Sequence, residues 1–186
     1  KAIGSLLNRA TELQPIPMGI VLAGFMGMIL TLPLSSAALS IALGLEGLAA
    51  GAALTGCCCQ MIGFAVMSYK ENKVGGLISQ GLGTSMLQIP NIIKNPLIWI
   101  PPTLASALLG PISTTVFKMK ADSVGAGMGT SGLVGQFSTY SVMGNEAFIG
   151  IALLHFLLPA VLSYAISMYM RKKGYIKEND LLLQNK

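Results

Sequence analysis

The sequence predicts an all-α integral membrane protein of about six membrane segments, and three observations carry that prediction. Only 10% of the 186 residues are charged while 53% are hydrophobic, against roughly a quarter charged in an ordinary soluble domain. Uncharged runs recur at Pro17–Leu34, Leu48–Tyr69, Val74–Ile93, Asn95–Phe117, Ser123–Asn145 and Ala147–Met170, each near the roughly 20 residues a helix needs to cross the hydrocarbon layer. Two of these runs, Val74–Ile93 and Ser123–Asn145, hold the motif G-x-G-T-S, at Gly81–Ser85 and Gly127–Ser131. Several glycines in a short segment weaken a helix by about 1 kcal/mol each relative to alanine, so both segments are expected to be broken or re-entrant.

The first 15 residues read as an amphipathic cytoplasmic lead-in. They lack the charged start, apolar centre and small-residue cleavage site of a signal peptide. The chain opens on Lys1 rather than Met, and further sequence upstream is expected. Segment one has Gly19, Gly24 and Gly27 along it, the small-residue pattern by which membrane helices approach closely. A turn rich in Ser and Ala should then lie outside the cell. Segment two opens with Ala49, Ala50, Gly51, Ala52, Ala53 and Gly56 and is expected to be buried among other helices. Its consecutive Cys57, Cys58 and Cys59 point about 100° apart on a helix, which suits packing and not metal binding.

Segments three to six fit an internal repeat of about 50 residues, each copy running from the glycine motif through an outer cap to a hydrophobic helix and a basic end. Segment four starts at Asn95-Pro96, an N-cap followed by a proline at the first helical position. It carries Trp99 near the expected outer interface, and Gly110-Pro111 should kink it. In segment six, Pro159 frees the carbonyl of His155.

Topology follows from the basic residues. Lys1 and Arg9, Lys70 and Lys73, Lys118 and Lys120, and Arg171–Lys173 with Lys177 fall at every second boundary, with Lys94 the exception. The positive-inside rule then places both ends, the KENK loop and the Lys118–Lys120 loop in the cytoplasm, with a tail at residues 171–186 and an external turn at Asn95. The glycine segments would cross the membrane as parallel repeats. The alternative is a pair of re-entrant hairpins, which would put Lys118 and Lys120 outside and invert the second copy.

The chemistry available is polar and nearly uncharged. Thr84, Ser85, Gln88, Asn91, Asn95, Thr130, Ser131 and Gln136 supply hydroxyls and amides, Glu146 a carboxylate and His155 an imidazole. Such a set suits a neutral polyhydroxyl ligand, which needs many donors and acceptors and no counter-ion. The bland reading is that these side chains bond across packed helices. Glu146 can equally be a helix-start carboxylate favoured by the macrodipole, and His155 a polar contact at the Pro159 kink. No paired carboxylates, metal spacing, nucleotide loop or nucleophile elbow occurs, so no catalytic constellation, cofactor or metal is expected. The formal charge of +5 resides at segment ends and forms no nucleic-acid patch.

The run VGGLISQGLGTSMLQIPNIIKNPLIWIPPTLASALLGPISTTVFKM, together with GAGMGTSGLVGQF, resembles the IIC-type membrane permease family of the bacterial sugar phosphotransferase system, in the branch that includes perfringolysin regulator proteins. The resemblance implies a multi-pass protein of the bacterial inner membrane, the carboxyl-terminal part of a longer permease. It implies a sugar ligand, a IIB-type phosphoryl-carrier subunit or domain, a lipid bilayer and a homodimeric partner, with no nucleic acid. The glycine-isoleucine-threonine-glutamate signature of better-studied sugar permeases is absent, so no family site residue carries over to a position here. Two functions compete. One is sugar binding and translocation at the broken helices; the other is a membrane sensor that regulates gene expression without net transport. An ion-coupled carrier would have Glu146 and His155 as its proton-carrying groups.

Overall fold

In the computed structural model residues 2–183 are described. Lys1 of the expected lead-in and residues 184–186 of the expected tail lie outside the described residues. The described residues form helices joined by turns and loops, with no strand among them beyond one isolated backbone bridge between Gly47 and Ala121. Among them, three stretches are long and apolar enough to cross a membrane, at Gly47–Met67, Pro96–Thr115 and Ser131–Lys172. Three, not six, therefore meet the length and hydropathy a crossing requires.

The bundle is built around α4 (Gly47–Met67), about 32 Å long at 1.5 Å per residue and buried continuously from Ala49 to Met61. Its alanine and glycine surface lets neighbours approach to backbone contact, as in membrane helices generally. A Cβ on Gly56 would strike the backbone of Ala23, which brings α2 (Pro15–Thr31) against it. Two further contacts give the direction of α2: Gly27 lies on Gly56, and Thr31 Oγ1 donates to Gln60 Oε1 at 3.2 Å. Partner numbers rise together, so α2 and α4 run parallel. In α7 (Ile100–Thr115) they fall: Thr103 meets Gln60 (3.0 Å) and Ser113 meets Thr55 (3.0 Å), so this helix is antiparallel to α4. The last crossing comprises α9 (Ala147–Gly150) and α10 (Leu158–Lys172), joined by a widened π turn over Ile151–Leu157 just ahead of Pro159. It starts beside Met119, at the level of Gly51, and ends where Arg171 donates to the Met67 carbonyl at 3.2 Å. The expected kink at Gly110-Pro111 falls inside a helix that runs unbroken across Pro111.

The intervening chain forms three hairpins. The first descends α2 and returns through α3 (Ser36–Leu43), capped by the Ser35 hydroxyl on Ala38 N and by left-handed Gly44. Its return limb ends at Gly44 and Glu46, which bond Asn8 of α1 (Ala2–Leu13) at 2.9 and 3.2 Å. The second goes in through α5 (Tyr69–Ile78) and a π turn over Ser79–Gly83. It breaks at extended Thr84 (φ −157°, ψ 141°) and returns through α6 (Ile89–Lys94) to Asn95. Its limbs are tied by Gln88 Nε2 donating to Gln80 Oε1 at 2.8 Å. The third leaves Met119, reaches Thr130 and returns through α8 (Val134–Met143); Asp122 N donates to Ser138 Oγ between its limbs at 3.1 Å.

These hairpins correct the predicted topology. Asn95 donates to the Tyr175 carbonyl (3.0 Å) and Asp180 Oδ2 (2.8 Å), while Lys70 and Asn72 bond Glu178 and Leu181. The Asn95 turn, the KENK loop and the described part of the tail therefore share the Met67 end of α4, because segment three doubles back on itself at Thr84. The described part of the amino-terminal lead-in and the Lys118–Lys120 loop lie at the Gly47 end, so the two chain ends are at opposite ends of α4. The stretch after segment one is not a simple turn between antiparallel helices, since α2 and α4 are parallel and α3 carries the chain back. Trp99 sits toward the Met67 end, where its indole Nε1 donates to the Gln60 Oε1 atom at 3.1 Å.

Candidate functional site

The second and third hairpins enter from opposite ends of α4 and meet tip to tip. Thr130 Oγ1 donates to the Gly81 carbonyl, joining the two G-x-G-T-S motifs. The first hairpin adds its tip through Thr31 Oγ1 and Ser85 Oγ, 2.9 Å apart. Each tip is shaped by local chemistry. Thr84 takes an extended backbone and its hydroxyl accepts from Met86 N at 3.1 Å, starting a 3₁₀ turn. In the other copy Gly129 has φ +57°, a left-handed conformation that glycine adopts without a Cβ penalty. Left-handed Gly132 and Leu133 complete that reversal.

Between the tips is a cavity of about 190 Å³ lined by Ser35, Ser36, Gly83, Thr84, Met128 and Ser131, with Met61 of α4 as its wall. Met61 stands 14 residues from the start of α4 and six from its end, about 21 and 9 Å, so the junction lies nearer the Met67 end. The polar groups offered are the Thr84 and Ser131 hydroxyls together with those of Ser35 and Ser36. Ser36 Oγ is already committed to the Gly127 carbonyl at 2.6 Å.

The ten predicted site residues divide into five groups. Thr84 and Ser131 line the cavity, while buried Ser85 and Thr130 bind the tips together. Gln88, Asn91 and Asn95 turn away from it and hold the tail. Gln88 Nε2 donates to the Leu181 carbonyl (3.0 Å) and Gln88 Oε1 accepts from Asn91 Nδ2 (2.8 Å). Asn91 Nδ2 also donates to the Leu182 carbonyl (3.0 Å). Gln136 and His155 form a separate buried pair, Gln136 Nε2 lying 3.2 Å from His155 Nδ1 and 3.5 Å from Cys58 Sγ. Among the described residues, Gln136 Oε1 and His155 Nε2 have no partner. Glu146 is exposed at the Gly47 end, in a cleft with Lys118 and Lys120, at the far end of α4 from the tail. Gln88 and Gln136 thus do not face a common space.

Sequence reasoning missed three polar residues that organise the junction. Buried Gln60 joins Thr31, Thr103 and Trp99 across three elements. Buried Gln80 bonds Ser68 Oγ and the Gly76 carbonyl, both through Nε2 at 2.8 and 3.0 Å. Thr31 ends α2 at the tips. Gln60 had a visible signal, an amide within an alanine and glycine helix, because a buried amide requires partners. Among the described residues no group of three or more His, Cys, Asp or Glu is placed to hold a metal.

A family model described as "Phosphotransferase system, EIIC" matches residues 1–183. No curated protein and no solved structure gives a significant match.

Proposed function

The chain belongs to the EIIC family of the phosphotransferase system; it is a membrane protein and a permease component that cooperates with a IIB component, and we propose that it binds a neutral sugar where the three hairpin tips converge. The meeting of two interrupted G-x-G-T-S segments from opposite ends of the bundle, tied by Thr130 and Gly81, carries this reading. In a bilayer, irregular backbone is tolerated only where protein or a water-filled cavity covers it, and transporters place substrate at such breaks. The hydroxyls of Thr84 and Ser131 are uncharged, as a sugar requires. At about 190 Å³ the cavity is smaller than the roughly 300–1,000 Å³ of ordinary ligand sites, so the tips part when sugar enters. The Ser85–Thr31 and Thr130–Gly81 bonds are the contacts that yield.

On this reading the second and third hairpins are re-entrant. Lys70, Lys73, Lys94, Arg171–Lys173 and Lys177 gather at the Met67 end, which the positive-inside rule makes cytoplasmic. Lys94 ceases to be an exception, and the lead-in and Lys118–Lys120 lie outside.

Titration calorimetry of the purified protein against neutral mono- and disaccharides tests the site. A sugar hydroxyl contributes roughly 0.5–1.5 kcal/mol, so Thr84→Val combined with Ser131→Ala should raise Kd about tenfold, equal to about 1.4 kcal/mol, in a protein that still folds with a melting temperature lowered by the lost Thr84 cap on Met86 N. The proposal fails if no sugar binds, or if the double variant binds as tightly as the parent.

A further inference from the structure

A larger cavity, about 600 Å³, opens at the Met67 end between the end of α4, the start of α5 and the end of α10. Its lining is mixed: basic Lys70, Lys73, Arg171 and Lys172, apolar Val66, Met67 and Met168, and the two tyrosines Tyr69 and Tyr164. Part of the positive charge is spoken for. Arg171 Nη2 lies 2.7 Å from Glu71 Oε1 and Lys70 Nζ 3.0 Å from Glu178 Oε1. Four cations against two carboxylates leave a surplus of two, on Lys73 and Lys172.

Two further observations point to an occupant. Lys73 adopts φ +53°, ψ −150° in the middle of α5, a backbone conformation that L-residues rarely hold and that concentrates at ligand clamps. Val161, Tyr164 and Met168 form an exposed apolar stripe at helical spacing along α10, and it leads to the cavity. A soluble anion has no use for such an approach, whereas a lipid chain does. Basic pockets between membrane helices, beside an apolar surface, are suited to acidic headgroups.

We propose that this cavity is a binding site for an anionic phospholipid, its phosphodiester between Lys73 and Lys172 and its acyl chain along Met168, Tyr164 and Val161. The proposal needs only the membrane character of the chain and stands apart from the sugar site. An occupant here would tie α5, which leads to the second hairpin, to α10.

Native mass spectrometry of the delipidated protein in detergent, titrated with phosphatidylglycerol or phosphatidylcholine, tests it. One phosphatidylglycerol per chain should be retained in preference to phosphatidylcholine. Each lysine near the surface contributes on the order of a fivefold effect, so Lys73→Gln with Lys172→Gln should reduce the preference about thirtyfold. Lys118→Gln with Lys120→Gln, at the other end of the bundle, should leave it intact. Met168→Trp fills the apolar part of the lining without changing charge and should also weaken retention, which keeps the proposal testable if the double-lysine variant misfolds. Equal retention of the two lipids, parent-like retention in either pocket variant, or complete displacement by inorganic phosphate overturns it.

Discussion

The two G-x-G-T-S hairpins share a motif and differ in almost everything around it. In the hairpin at residues 74–94 the motif glycines Gly81 and Gly83 have room for a side chain, and the amides that follow bond one another and the tail. In the hairpin at residues 119–143 the motif glycines Gly127 and Gly129 are wedged against the backbones of Ser36 and Cys57 and against Met61, and the following Gln136 keeps an oxygen with no partner among the described residues, beside His155. The motif determines where each segment breaks; what the broken segment touches depends on the end from which it enters. One hairpin is held by its polar side chains, and the other by the absence of side chains.

The glycines test that contrast most severely. A Cβ on Gly127 would strike the Ser36 carbonyl, and one on Gly129, at φ +57°, would press on Met61 and Cys57. Left-handed strain of about 1–2 kcal/mol and overpacking of about 1–3 kcal/mol make Gly129→Ala destabilising by about 2–5 kcal/mol. Gly81→Ala and Gly83→Ala meet nothing nearer than ordinary contact and should change stability by about 1 kcal/mol or less. Melting temperatures in detergent decide the matter, and equal losses in both copies would erase the distinction.

The amides come next. Gln88→Ala removes bonds to Gln80, Asn91 and Leu181, leaving buried groups unpaired at about 1–3 kcal/mol each, and should expose the tail to protease. Gln136→Ala removes two weaker contacts and an oxygen that was already unpartnered, so a loss of about 1 kcal/mol is expected with the tail still protected. Comparable tail cleavage in the two variants would show that the amides are interchangeable.

Thr130→Val severs the link between the copies and leaves the Gly81 carbonyl without its hydroxyl donor, at about 1–3 kcal/mol. Hydrogen exchange should quicken at both tips together. Acceleration confined to one tip would show that they are not coupled.

The smallest effect belongs to the exposed Lys70–Glu178 pair. The hydrogen bond from Lys70, and secondarily its charge, holds the Glu178 carboxyl below its ordinary pKa. A depressed carboxyl contributes stability above its unfolded pKa and loses it as pH falls through the folded one. Tail protection should therefore weaken slightly on acidification below the ordinary carboxylate range, and Glu178→Gln should remove that dependence. An identical pH profile in the variant would assign the effect to other groups.

Composition alone made this a helical membrane protein, because 10% charge cannot solvate a soluble surface of this size. Glycine content predicted the two places where the helices break, since the missing side chain is a local property of the chain. Alanine and glycine in α4 likewise announced a buried helix. Direction was not legible: a broken segment of about 20 residues can cross or turn back with the same hydropathy. The choice rests on contacts between residues far apart in sequence, such as Asn95 with Tyr175 and Asp180. Lys118 and Lys120 misled for that reason, since alternate basic boundaries imply one side only if every intervening segment crosses. The same holds for the site residues. Amide and hydroxyl groups can be counted in a sequence, but each bonds whatever lies within about 3 Å, and only the tertiary structure turned Gln88 to the tail, Gln136 to His155, and Thr84 and Ser131 to one cavity.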